Sequence, residues 1–140
     1  MNISTGFETM KNALLEKENI EKNKKSRMVV YVASKLNDIN IVNSIRNMNY
    51  MNRLCFLVLK KGHFPYCPAY NNFLLLCDDY GHERILIESR IAELSFRFIP
   101  MCDAMLIGTE SNNVLKEIEI ANIYNIKIFG KVDDIPDANY

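Results

Sequence analysis

An α/β fold is the architecture this sequence predicts: a single three-layer domain around a parallel sheet of four to five strands, flavodoxin-like or Rossmann-like, with an extra helix at the N-terminus. Three observations lead there. Runs of β-forming apolar residues recur at 28–33, 103–107 and 126–129, as buried strands require. Segments with apolar residues at helical spacing separate those runs. A chain of 140 residues fits one domain, large enough to bury a real core.

Residues 1–27 read as an N-terminal helical extension. Phe7, Met10, Leu14 and Ile20 recur at helical spacing on a background of Lys, Glu and Asn, which predicts a helix over about residues 5–23 with a narrow apolar stripe. Such a helix suits loose attachment or docking on a partner subunit. Residues 28–130 are the α/β domain. Its first and central strand is Met28-Val29-Val30-Tyr31-Val32-Ala33. The polar Ser34-Lys35-Leu36-Asn37-Asp38 follows, with Asn37 or Asp38 suited to cap a helix. That helix carries Ile41, Ile45, Met48, Met51, Cys55 and Leu59 at its period, runs to about Lys61, and ends at Gly62 in the left-handed conformation.

Phe64-Pro65-Tyr66-Cys67-Pro68 is a short extended segment, because proline and its preceding residue both resist helix. Residues 69–81 read as an excursion over the mouth of the sheet. From His82 a helix turns Ile85, Leu86, Ser89, Ala92, Phe96 and Ile99 inward until Pro100 breaks it. A strand at 103–107, a helix at 114–124 and a last strand at 126–129 complete a β-α-β-α-β-α-β order, that of a parallel sheet with right-handed crossovers. Residues 131–140 show no core signal and read as a C-terminal tail.

Composition narrows the function classes. Basic and acidic residues balance at 17 each, so no nucleic-acid polymer is an expected partner. No apolar run approaches the roughly 20 residues that span a bilayer, and no signal-peptide core opens the chain. A cytoplasmic protein without a membrane partner is therefore expected. Cys55, Cys67, Cys77 and Cys102 form no C-x-x-C pair. A zinc site from Cys67, Cys77 and His82 would match no common spacing, so neither a metal nor a cofactor is called for. Richness in Asn, Ile and Lys, with no Trp, suggests an AT-rich bacterial or phage genome.

The stretch from Ser111 to Glu117 holds the chemistry. It lies between an apolar strand, Ala104-Met105-Leu106-Ile107, and a short amphipathic helix. A strand, a polar loop and a helix form the ligand crevice of open α/β sheets. The helix's free N–H groups can hold an anion such as phosphate, and Glu117 would project close to it.

These residues carry a resemblance. Val30-Tyr31-Val32-Ala33-Ser34, then Lys61-Gly62-His63-Phe64-Pro65-Tyr66-Cys67-Pro68, Cys102-Asp103-Ala104, and Ser111 with Glu117-Ile118 and Ala121 stand in the order and spacing of a known group. Over residues 28–130 the chain resembles the nucleoside 2-deoxyribosyltransferase-like superfamily, which includes 2′-deoxynucleoside 5′-phosphate N-hydrolases. The resemblance implies a homodimer or larger oligomer that binds a small-molecule nucleotide and cleaves its N-glycosidic bond. Glu117 would attack the anomeric carbon, and Tyr31 would orient it. Ser34 and Ser111 would hold the 5′-phosphate; Lys35 would add a charge to neutralise it, and Asn113, at the Gly position of the Ser-x-Gly motif, is a further expected substrate contact. The chemistry fits, because glycosidic cleavage has an oxocarbenium-like transition state that a carboxylate can stabilise or capture.

The chain departs from that pattern twice. Ser95 stands where the family places a helical Asp that protonates the leaving base. Glu93 lies two residues away, rotated about 200° around the helix. Glu88, seven residues earlier, shares nearly the same face and is the candidate to contact substrate in its place. Asn113 replaces a Gly, and Asn tolerates positive φ. The alternatives are a degenerate nucleotide-binding protein, such as a phage protein sequestering a nucleotide immune signal, and an interaction protein that uses its N-terminal helix.

Overall fold

The computed structural model describes residues 3–24, 27–35, 40–71 and 83–138. The described elements follow in the order α1 (Ile3–Lys24), β1 (Val29–Ala33), α2 (Ile41–Lys60), β2 (Phe64–Tyr66), α3 (Arg84–Phe98), β3 (Ala104–Ile107), α4 (Asn112–Ile123) and β4 (Lys127–Phe129). The four strands form one all-parallel sheet in the order β2-β1-β3-β4. Both neighbours of β1 are strands, as befits its unbroken run of β-formers. Among the described helices none is long and apolar enough to cross a membrane.

Alternation along β1 divides the core in two. Val30 and Val32 point to one face, where Met51, Leu54, Cys55 and Val58 of α2 cover them. Tyr31 and Ala33 point to the other, against Ile99, Val114 and Ala121 from the α3 and α4 side. The strand period of two and the helical period of 3.6 thus generate three layers.

One local expectation holds, and two further features join it. Gly62 adopts φ 89° just past α2, a conformation that glycine alone takes readily. Asp103 accepts a hydrogen bond from the Val29 N–H at 2.7 Å. Cys55, Cys67 and Cys102 are buried free thiols. The stretch 72–82, with Cys77 and His82 of the imagined zinc site and most of the expected excursion, lies outside the described residues.

Other expectations need correction. Asn40 caps α2, its side chain accepting from Val42 N–H at 2.9 Å; Asn37 and Asp38 lie outside the described residues. Ile41, Ile45 and Leu59 are exposed, and Leu54 and Val58 take the inward positions. In α3, Ile85 and Leu86 are exposed and Ile91, Ser95 and Ile99 face inward. Apolar residues surround α3, so periodicity could not set its rotation. Residues 131–138 are docked on the core. Ile135 is 1% exposed, Lys61 Nζ donates to the Ile135 carbonyl at 2.6 Å, and Ala138 N–H donates to the Lys61 carbonyl. His63, buried beneath that segment, accepts from Met28 N–H at Nδ1 and bonds the Pro136 carbonyl through Nε2. With Nδ1 accepting, Nε2 must carry the proton, so His63 is a structural clasp.

Candidate functional site

Strand order reverses at β1. Its connection through α2 leads to β2 on one side, while β3 pairs on the other. In open parallel sheets a crevice opens at such a point, beyond the carboxyl ends of the strands. Here it is a cleft of about 780 Å³. The loop after β1 and the loop after β3 form its floor, and α3 and α4 form its walls.

The two loops are fastened together. Gly108 N–H donates to the Ala33 carbonyl at 2.8 Å, and Lys35 N–H to the Thr109 carbonyl at 3.3 Å. Thr109 N–H donates to Ser34 Oγ at 3.2 Å. A Cβ on Gly108 would stand 2.7 Å from Ser34 Oγ and 2.9 Å from Leu54 Cδ1. Only glycine lets the two strand ends approach this closely. Gly108 is a site residue that sequence reasoning missed, because its reason is a contact 74 positions away.

Ser111 begins α4 as its N-cap, accepting from Val114 N–H at 3.3 Å. Its hydroxyl proton stays available to a ligand, as does that of Ser34. Asn112 and Asn113 occupy the first turn, where backbone N–H groups lack intrahelical acceptors. Asn113 therefore sits in ordinary helical backbone. Among the described residues the only positive-φ position outside glycine is Asn125, so the turn does not need the glycine-like freedom expected of Asn113.

Glu117 lies on the buried stripe of α4 with Val114 and Ala121. Spacings of three and four place these residues on one face, and that face packs on the sheet. The carboxyl is only 8% exposed, yet it lines the cleft. Burial raises its pKa to about 7, while the Tyr31 hydroxyl pulls it partly back. Tyr31 itself is 0% exposed. Burial above all, and then the charge of Glu117, hold its phenol far above the usual tyrosine range. Its hydroxyl has no partner in hydrogen-bonding geometry, so Tyr31 and Glu117 are electrostatic neighbours without a formed hydrogen bond. The ring is held in place by Tyr66, 5.8 Å away between centroids, and Tyr66 packs in turn on Phe98 at 5.1 Å.

The structure therefore gathers Ser34, Lys35, Ser111, Asn113, Glu88 and Glu117 around one cleft, with Tyr31 behind Glu117. The α3 wall adds Ile91, Ala92, Ser95 and Phe96, and the β3–α4 loop adds Glu110. Ser95 Oγ donates to the Ile91 carbonyl at 3.0 Å. Glu93 is not in the cleft; it pairs with Arg97 at 3.1 Å on the exposed face. Of the two carboxylates weighed as substitutes at Ser95, only Glu88 reaches the cavity.

Among solved structures, the chain is similar to the 2-deoxyribosyltransferase from the psychrotolerant bacterium Bacillus psychrosaccharolyticus, with a TM-score of 0.56. The likeness covers 80% of this chain and 93% of that one. The chain has a nucleoside 2-deoxyribosyltransferase-like fold. Identity is 12%, so this deoxyribosyltransferase-like domain shares the architecture, and roles for its residues rest on their own geometry. No family model and no curated protein matches the sequence.

Proposed function

We propose that this deoxyribosyltransferase-like protein binds a nucleoside 5′-phosphate or related nucleotide in the cleft and cleaves its N-glycosidic bond through Glu117. One observation carries the reading: a carboxyl buried by the sheet, with a pKa near 7, that nonetheless opens onto a cavity at the strand ends. A structural glutamate gains nothing from such a position, because desolvation penalises its charged form. A nucleophile gains, because a desolvated carboxylate is relieved of charge when it bonds to an electron-poor carbon.

In the proposed step, a Glu117 oxygen bonds to the anomeric carbon as the carbon–nitrogen bond breaks with its electron pair going to the base. Water then attacks that carbon, the Glu117 carboxylate leaves, and the proton that water gives up ends on the departed base. Tyr31 orients the carboxylate. Ser34, Lys35, Ser111 and Asn113 take the phosphate, helped by the open N–H groups of α4, and Glu88 contacts substrate from α3. The exposed stripe Phe7, Met10 and Leu14 on α1 is consistent with assembly into a homodimer or larger oligomer.

Ser95 favours a second reading, a binding protein that retains the nucleotide intact, because its hydroxyl is engaged by the helix and supplies no acid. Incubating a nucleotide panel with wild type and with Glu117→Ala, followed by chromatography, separates the two. Release of free base by wild type alone supports cleavage. Depletion of one nucleotide, recovered whole after denaturation, supports sequestration. A panel that stays unchanged and unbound overturns both.

A further inference from the structure

The walls of the cleft carry an imbalance. Glu88, Glu110 and Glu117 line it, and Lys35 is the one basic residue among the described residues that do so. A neutral nucleobase needs a proton to leave as a good leaving group, and a general acid for that purpose is ordinarily a buried carboxyl that keeps its proton at neutral pH. The buried polar position on the α3 wall is Ser95, whose proton is spent on the Ile91 carbonyl. Glu88 is two helical turns, about 10 Å along the axis, from Ser95, and like Glu110 it is exposed. Neither is the buried acid that such chemistry ordinarily uses. Phe96 lines the same wall.

Resting on the reading of Glu117 as nucleophile, we infer that the preferred substrates are nucleotides whose base already carries a fixed positive charge, such as an N-ribosyl pyridinium or an N7-alkylated purine. Such a base needs no acid. When the carbon–nitrogen bond breaks, its electron pair neutralises the ring nitrogen and the base departs uncharged. Glu117 is left bonded to the anomeric carbon. Water then attacks that carbon, the Glu117 carboxylate leaves, and one proton passes to solvent. Carboxylates around the cleft attract the cationic ring, and the Phe96 face offers it a cation–π contact. The bound cation also favours the ionised form of Glu117, which is the form that attacks. Lining charge and the lack of a buried acid on the α3 wall among the described residues thus point to the same substrate class.

The test pairs molecules that differ in charge at the base: 7-methylguanosine 5′-monophosphate against guanosine 5′-monophosphate, and nicotinamide mononucleotide against its reduced, uncharged form. Base release is measured with wild type, Glu117→Ala and Ser95→Asp, with the spontaneous rate subtracted from each. General acid catalysis contributes roughly 10²- to 10⁴-fold, so without it catalysed release should be at least about 10²-fold faster for the charged member of each pair, and it should vanish in Glu117→Ala. Ser95→Asp, if it folds, should narrow the gap by accelerating release of guanine. Equal or faster catalysed release from the uncharged members, still dependent on Glu117, would overturn the charge preference and leave the nucleophile standing. No release from any member of the panel would overturn both.

Discussion

The two faces of the sheet are built from alternate residues of one strand, yet they do different work. The face of Val30 and Val32 is closed by Met51, Leu54, Cys55 and Val58, with Ile135 sealing its edge. The face of Tyr31 and Ala33 holds an unpartnered phenol and the carboxyl of Glu117, with buried Ser95 on α3. Dry hydrocarbon is inexpensive to bury, whereas each polar group on the second face carries a desolvation penalty that only partial satisfaction offsets. Instability concentrated beside a cavity is what a reactive site requires, and the first face must supply the stability that the second gives up.

The largest effect that would break this comparison is on chemistry. Glu117→Ala should lower base release on the order of 10⁴-fold, as loss of a nucleophile does, while circular dichroism and cooperative unfolding remain intact. A mutant that unfolds would place Glu117 among the structural groups. The matching change on the other face, Met51→Ala, removes a fully buried side chain. It should destabilise by about 2–5 kcal/mol, with activity per folded molecule unchanged.

The next prediction sharpens the contrast by turning the sign of stability. The Glu117 pKa lies at about 7 in the folded protein against an ordinary 4.5. Below both values the folded and unfolded chains are equally protonated at this group. Between them the unfolded chain has released its proton and the folded chain has kept it, so stability falls as pH rises, and above about 7 the whole penalty is present. At 1.36 kcal/mol per pKa unit the penalty is about 3 kcal/mol. Glu117→Gln should therefore be more stable than wild type by about 3 kcal/mol at pH 8 and equal to it at pH 4, as read by urea unfolding at both. Catalysis runs the other way. The ionised form attacks, so kcat/KM should rise with pH through about 7. A stability gap that is flat with pH would mean that Glu117 is solvated.

Much of this division is legible in the sequence, and the illegible parts share a cause. The β1 run, the Gly62 cap and the Val114–Glu117–Ala121 stripe are local patterns, and one carboxylate on an apolar stripe already marks a site. The rotation of α3 is illegible in the sequence because Ile85, Leu86, Ile87, Ile91, Leu94, Phe96 and Phe98 surround the helix, so no single face stands out. Ile135 is a lone apolar residue among Asp and Pro and has no period to detect. The clasp of His63 with Met28 and Pro136, and the approach of Gly108 to Ser34, join residues far apart in the chain. Local pattern finds elements; only the fold finds such partners.

The smallest effect compares two helix caps. Asn40 caps α2 through Val42 N–H, and Ser111 caps α4 through Val114 N–H. Replacing either by Ala removes one side-chain acceptor and should destabilise by about 1 kcal/mol. On that scale the caps are equivalent, but only Ser111 lines the cleft. Ser111→Ala should also weaken nucleotide binding by removing the hydroxyl donor, whereas Asn40→Ala should leave affinity untouched. Titration calorimetry on the two variants, both checked for equal loss of stability, isolates the ligand's share. Equal affinities would show Ser111 to be a cap and nothing more, and would move the phosphate to the N–H groups of Asn112 and Asn113.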